Sequence, residues 1–507
     1  MRKLGMFLLG FAAVLFAGGA AQAAMSEDDN DNKFSIHGEV RFRGEAWSNL
    51  TDFTKSGSST LGTTSDDDFD IFPYRVRLAA KGDLGHDVWV YGEFQASGAA
   101  GGGLFGQTDP FFGDSIEFLN SGVSLYQGYV KLKDVGKTNL DLTFGRQEIV
   151  FDRGLHFSSL DFYNGISHDG VMANWDWDRF NIAAFWTRAS ESNLAANTLA
   201  PNNGDDQDIL GAHVGFMIGK DKDQDVAGYA FLQTENNNVI DPTNNEKRGK
   251  IYTIGGRWGR MIHDKTGFVW NAEGSYQFGD FQPCAAPFPF NTDITTGGSL
   301  ACSDGDPTNP KLKQKAWVFE GSFGFVLHAG HTDQKFWGGY TMATGDNDPN
   351  DTHNKSFVPL FTDFHNRLGY ADLFTISNIK AISVGWKVNA GDKNAFGIAL
   401  WNFKQDSPEA GSVSPLTFGS TGNALADPCF DGVTPQSFGS NSSCSDKLGN
   451  ELDLFYDYNM TENFAFNTAL SWFKPGDAIK DHWSGFGTTS DGDDSGWRLT
   501  AQARARF

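Results

Sequence analysis

Beyond its first 25 residues this chain has no run of about 18 consecutive apolar residues, the length a membrane-spanning helix needs. Helical periodicity is almost absent as well. That excludes an enzyme built on a parallel sheet, which would need crossover helices. Basic residues are in the minority, 40 Lys and Arg against 63 Asp and Glu. The resulting net charge of -23 excludes a nucleic-acid binder, which needs a basic footprint. Four cysteines are present and none forms a C-x-x-C or C-x-x-C-H unit, which speaks against zinc and covalent haem. Mean hydropathy is -0.38, as in many soluble exported proteins. Hydropathy fails as a guide for a membrane barrel, however, because only alternate residues of its strands must be apolar.

What is present is an export signal, much glycine and much phenylalanine. Arg2 and Lys3 precede an apolar stretch from Leu4 to Phe16, and Ala21-Gln22-Ala23 is a small-x-small cleavage site. We expect residues 1–23 to be a cleaved secretory signal and 24–507 to form one domain. Export permits disulfides. Each neighbouring cysteine pair falls in one expected loop, so Cys284–Cys302 and Cys429–Cys444 are the expected bridges among three possible pairings. Acidic clusters at 65–70, 202–208, 345–351 and 491–496 read as solvated loop tips. Their sharper reading is divalent-ion contact with lipopolysaccharide, or a calcium site, although none has a complete calcium-loop spacing.

The chain ends WRLTAQARARF. Trp497, Leu499, Ala501, Ala503, Ala505 and Phe507 share one face of an extended strand, and Arg498, Thr500, Gln502, Arg504 and Arg506 the other. The same two-faced pattern recurs. It runs through 33–47, 73–81, 88–96, 122–134, 139–149, 167–177, 178–190, 208–220, 225–236, 248–262 and 267–280. It continues through 314–330, 335–345, 379–391, 394–406, 448–460, 464–475 and 494–507, about 18 strands in all. The connections alternate between short (DVGKT, KDKDQ, HDKT, AGDK, MTEN) and long (48–68, 97–121, 281–313, 346–378, 407–447). A soluble sandwich has no reason to sort its loops in this way. An all-β transmembrane antiparallel barrel, with short periplasmic turns and long extracellular loops, does. Tyr252, Ile254 and Trp258, and likewise Ile382, Val384, Trp386 and Val388, suit its lipid face. The expected location is the outer membrane of a Gram-negative cell.

Alternation then assigns the inner face. Arg41, Arg43, Arg75, Arg77, Lys131, Arg257, Lys387, Arg498, Arg504 and Arg506 are expected to point into the lumen, among the acids Glu39, Glu45, Glu93, Asp141, Glu451, Asp453 and Asp457. Arg146 is expected to join them across a bulge. The last strand and the first two, adjacent in a closed barrel, form a basic wall of about seven arginines. Such a wall can select anions, since the arginine fork binds carboxylates. Alternatively, Arg and Glu cross-strand pairs brace the barrel. Since every expected periplasmic turn is short, any gate must come from an extracellular loop folding inward, with 97–121 or 407–447 as the first candidates.

Two stretches, LDLTFGRQEIVFDRG with SHDGVMANW (140–154 and 167–175) and LGNELDLFYDYNMTENFAFNTALSWFKPGD (448–477), resemble the alginate-export porin family. The motif residues are Gly145-Arg146-Gln147, Asp169-Gly170, Gly449 with Glu451-Leu452-Asp453-Leu454, and Phe473-Lys474-Pro475-Gly476. The resemblance implies a monomeric barrel that moves an anionic polysaccharide through an electropositive lumen, without cofactor or catalysis. The terminal Phe507 resembles the signal read by the barrel assembly machinery. The expected partners are outer-membrane lipid and lipopolysaccharide, that machinery, and an anionic solute or polyuronate. Three other readings compete: a general diffusion porin, a barrel sheath around an electron-transfer partner, and a barrel hydrolase using His156, Ser158, Asp161 and His168.

Overall fold

The computed structural model describes residues 33–50, 53, 68–99, 123–190, 206–236, 249–262, 265–281, 312–348, 351–365, 367–408, 445–480 and 494–507. The barrel strands are β1 (Phe34–Ser48), β2 (Pro73–Gly85), β3 (Val88–Ala99), β4 (Val123–Leu132), β5 (Leu140–Gln147), β6 (His168–Asp176), β7 (Phe180–Ser190), β8 (Asp206–Ile218) and β9 (Gln224–Asn236). They continue as β10 (Gly249–Arg260), β11 (Gly267–Phe281), β12 (Leu312–Ala329), β13 (Thr332–Ala343), β14 (Ile379–Ala390), β15 (Asn394–Gln405), β16 (Lys447–Thr461), β17 (Phe464–Pro475) and β18 (Gly496–Arg506). Each pairs antiparallel with its sequence neighbours. β18 returns to β1 in a register from Glu39 opposite Arg506 to Ser48 opposite Trp497, so the 18-stranded barrel closes. Closure matters because an open strand edge in lipid would leave backbone groups without partners.

One end of the barrel carries tight connections. Examples are His86-Asp87 between β2 and β3, and Gly330-His331 between β12 and β13. The first described residues and the last residue of the chain meet there. The Asp83 amide donates to the Lys33 carbonyl, and the Gly38 and Phe507 backbones exchange two hydrogen bonds of 2.7 and 3.0 Å. The long connections among the described residues, 148–167 and most of 344–378, leave from the other end, as the sequence pattern requires.

The outer face is apolar: Ile36, Val40, Phe94, Leu210, Trp258, Phe323, Ile382, Leu400 and Trp472 are all well exposed. These side chains meet lipid, where exposure is the favoured state. The inner face is not an empty lumen at the long-loop end. The connections 148–167 and 344–378 fold inward and pack on each other. Phe157 bridges Phe361 in parallel, the Ser158 amide donates to the Phe361 carbonyl at 3.0 Å, and the Phe361 amide donates to the His156 carbonyl at 2.8 Å. Phe357, Phe364, Leu373, Phe374 and Ile376 from the second connection are buried with Phe403, Leu448 and Phe473 of the wall. Phe374 lies with its ring centroid 4.5 Å from that of Phe403 and 5.7 Å from that of Phe473. Removing this much aromatic surface from water stabilises the inserted loops by roughly 1.5–3 kcal/mol for each such ring.

The expected signal segment 1–23 and all four cysteines lie outside the described residues. So do most of 97–121 and 407–447, the connections first expected to gate the pore. The inward-folding connections among the described residues are two others. Among the described residues, no group of His, Cys, Asp or Glu side chains converges as a metal site would.

Candidate functional site

The arginine wall is assembled by register. Arg41 stands opposite Arg504 of β18 on one side and Arg75 of β2 on the other, while Glu39 stands opposite Arg77 and Arg506. Like charges directly opposite each other destabilise a sheet unless something neutralises them. Glu39 is one such group. Its carboxylate lies 2.5 Å from Arg75, 3.5 Å from Arg504 and 3.4 Å from Arg506. Asp161 of the inserted loop is the other. It lies 2.5 Å from Arg75, 2.5 Å from Arg504 and 3.6 Å from Arg77. Burial alone would raise the Asp161 carboxyl, but Arg75, Arg504 and Arg41 hold it well below the usual carboxylate range.

The backbone of the same loop satisfies what remains. Arg41 donates to the carbonyls of Asp161 and Tyr163, Arg43 to that of Phe162, and Arg77 to that of Asn164 at 3.0 Å. The Arg43 guanidinium also stacks 4.1 Å from the Phe162 ring, and Arg77 stacks 3.8 Å from Tyr126.

A second anchor holds the 344–378 connection. Arg498 bridges Glu45 on β1, at 2.7 Å, and Asp372 of that connection, at 2.5 Å. Asp372 also takes the His365 Nδ1 at 2.7 Å, and the Phe162 ring stacks on His365 from the other connection. Burial would raise the Asp372 carboxyl, but His365 and Arg498 keep it below its ordinary value. Arg367 pairs with Glu320 on β12 and donates to the Arg153 carbonyl, which ties the two connections together. His156 is buried with its Nε2 3.0 Å from the Ser275 hydroxyl. Burial, with Arg367 nearby, pushes this imidazole down to about 3, so it is neutral.

Of the residues assigned to the lumen from sequence, Arg41, Arg43, Arg75, Arg77, Arg498 and Arg504 come together in this wall. Lys131, Arg257 and Lys387 lie elsewhere on the inner face. Lys131 is paired with Asp141 at 3.0 Å, Lys387 with Asp457 at 3.4 Å, and Arg257 with Asp225 and with Asn271 at 2.7 Å. Arg146 is a correction. The ladder through β4, β5 and β6 runs without a register shift, so no bulge turns it inward. It shares the outward face of Phe144 and pairs at 2.5 Å with Asp169 directly opposite, which shares the outward face of Val171.

The two motif stretches acquire physical reasons. Gly145 stands opposite Gly170. A Cβ on Gly145 would lie 2.3 Å from the Gly128 carbonyl oxygen, and one on Gly170 would lie 2.1 Å from that of Trp186. Only glycine allows this approach. In the second stretch, Glu451 accepts the Ala371 amide at 2.9 Å. Asp453 accepts Trp401 Nε1 at 2.9 Å and the Ser471 hydroxyl at 2.6 Å. Phe473 is buried against Phe374 and Phe53. The strand motif therefore holds the inserted connection.

Asp372, Arg367, His365 and Tyr370 were not picked out from sequence. Their signal was composition: 357–376, FVPLFTDFHNRLGYADLFTI, is too apolar for a solvated loop. The hydrolase quartet does not assemble. His156 faces Ser275, Asp161 lies in the arginine wall, and His168 packs 4.4 Å from the Phe361 ring.

A family profile described as alginate export matches residues 114–487. No curated protein matches the chain. Among solved structures, OprD from Pseudomonas aeruginosa aligns at 10% identity with a TM-score of 0.50, covering 94% of this chain and 95% of that one. A double variant of OccD1 (OprD) aligns at 10% identity with a TM-score of 0.51, covering 93% and 95%. At such identity the likeness concerns the barrel fold alone.

Proposed function

Because the chain belongs to the alginate export family and is an outer-membrane channel, we propose that the solutes it passes are anions, carboxylates above all. One observation carries this reading. Arg41, Arg75, Arg77, Arg498 and Arg504 converge from three adjacent strands on the inner face, where groups from the inserted loops are what neutralise much of their charge. Arginine suits this task, because its planar fork matches a carboxylate and its charge persists at every accessible pH. A low-dielectric wall magnifies the attraction.

The inserted connections favour small carboxylates, or short oligouronates, over free threading of a long chain. A polymer passes only if 148–167 and 344–378 move. The same connections weigh against a sheath around a protein partner, since they take up interior space that partner would need. The channel acts as a monomer in this reading, with lipopolysaccharide around its long-loop end and Phe507 read during assembly.

The test is the reversal potential of the purified protein in a planar bilayer under a salt gradient. Anion preference is expected, and it should fall when Arg41 and Arg504 are both changed to Gln. Cation preference, or none, in the wild type would overturn the reading.

A further inference from the structure

The segment Asp161–Asn164 lies on the arginine wall as a bound ligand would. Four consecutive carbonyls accept from Arg41, Arg43 and Arg77, and the Asp161 carboxylate is gripped by Arg75 and Arg504. Among the described residues, Glu39 is the one other carboxylate in contact with Arg75 or Arg504, and the hydrogen bonds of Arg41 to the loop go to the Asp161 and Tyr163 carbonyls. Arg77 also has Glu93 at 3.8 Å and Glu148 at 3.9 Å, so removing Asp161 leaves the deficit at Arg75 and Arg504, which then share Glu39.

Access separates this anchor from the one at Arg498. There both side chains are shut away, Arg498 at 4% and Asp372 at 1% exposure. Asp161 keeps 34% of its side chain open to the interior, while Arg75 beneath it has none. A solute can therefore reach Asp161, but it reaches Arg75 only by replacing Asp161. Exchange of one carboxylate for another preserves charge and geometry, so the intruder need not overcome the full strength of the ion pairs.

We propose that the Arg75–Arg77–Arg504 cradle is a carboxylate-binding site on the translocation path, occupied at rest by the chain's own Asp161. A carboxylate-bearing solute takes that place and frees the 161–164 segment from the wall. This rests on the anion-channel reading. The solute class is the monocarboxylate, with sugar uronates as its members of matching size. Chloride lacks the two oxygens that the fork engages, and a neutral sugar lacks the charge.

The experiment uses full-length wild type and Asp161→Asn in planar bilayers, with chloride alone and with added glucuronate or glucose. Glucuronate should raise the open probability of the wild type. Asp161→Asn should be as open in chloride alone and gain nothing further, and glucose should act on neither. An identical open probability and an identical response in the two proteins would overturn the proposal. Asp161→Glu should restore the wild-type response, and heat-modifiable mobility establishes that each barrel is assembled.

Calorimetric titration of the detergent-purified proteins with glucuronate decides the matter even where the bilayer is silent. Asp161→Asn should bind roughly tenfold more tightly, because the wild type must first vacate its own site. Equal or weaker binding would reject the proposal. Reversal potentials from the same recordings keep the two readings apart. A cation-preferring wild type rejects the anion channel, whereas anion preference with unchanged Asp161→Asn binding rejects the cradle alone.

Discussion

Arg498 on the last strand and Asp372 in an inserted loop, 126 residues apart in sequence, form a buried 2.5 Å ion pair that fastens the loop to the inside of the barrel. Changing Arg498 to Gln should leave Asp372 and Glu45 buried beside each other without their shared cation. Breaking such a pair costs about 3–5 kcal/mol. The barrel should still assemble, because its ladders are untouched. Limited proteolysis should then cut within 344–378 at a rate at which the wild type resists, and equal resistance would show that the pair is dispensable.

Phe374→Ala probes the apolar half of the same attachment. The ring is fully buried between Phe403 and Phe473, and truncation of such a ring costs about 3–5 kcal/mol. Heat-modifiable mobility should persist while channel recordings become noisier and more conductive. A quiet, unaltered channel would mean that the loop does not govern conduction.

The buried His156 makes the inserted connections sensitive to acid, and the sign follows from linkage. Its folded value lies near 3, below the ordinary 6.5, so the unfolded chain binds more protons between these limits. Stability contributed by neutral His156 is complete above 6.5 and falls as pH drops toward 3. At pH 5 the loss is about 2 kcal/mol. The wild-type melting temperature should fall between pH 7 and pH 4 more steeply than that of His156→Asn. Taking the difference removes carboxyls common to both proteins, such as Asp363, which burial raises, and Asp161, which Arg75 and Arg504 hold low against burial. Parallel curves would contradict the assignment.

Arg146→Gln should leave ion selectivity unchanged. The side chain is 41% exposed on the outer face, and an exposed pair is worth about 0–1 kcal/mol. An altered reversal potential would return Arg146 to the lumen.

Gly38 and Phe507 test closure. The Phe507 ring lies where a Cβ on Gly38 would approach it to 2.2 Å. Gly38→Val should displace the ring and lower the yield of heat-modifiable barrel, and deletion of Phe507 should lower it further by also removing two backbone bonds. Normal yield from both variants would show that the terminal residue is idle.

Much of the fold is legible in the residues. Each of the 18 strands is announced by alternation, because a barrel wall has two unlike solvents on its two sides and side chains alternate between them. Loop lengths likewise give sidedness. Arg146 is misplaced because GRQ looks irregular, when the ladder runs straight through it and the irregularity is a close approach of Gly145 to the neighbouring backbone. The connections that fold inward are hard to choose from sequence because a loop's destination is not periodic. The Gly-rich stretch in 97–121 and the length of 407–447 draw the eye first, whereas 148–167 and 344–378 carry the phenylalanines that are seen buried.

By itself, then, the sequence determined the strand count, the apolar outer face, the facing of nearly all the wall arginines and the end at which the long loops gather. These follow from local alternation and chain connectivity. Only the tertiary structure decided what the arginines touch. Arg41, Arg75 and Arg504 meet Asp161, and Arg498 meets Asp372, across 86 to 343 residues of chain, because inserted loops must find partners for buried charge and the wall supplies them. No pattern along the strand encodes that meeting. It is fixed where the barrel closes and the loops fold into it.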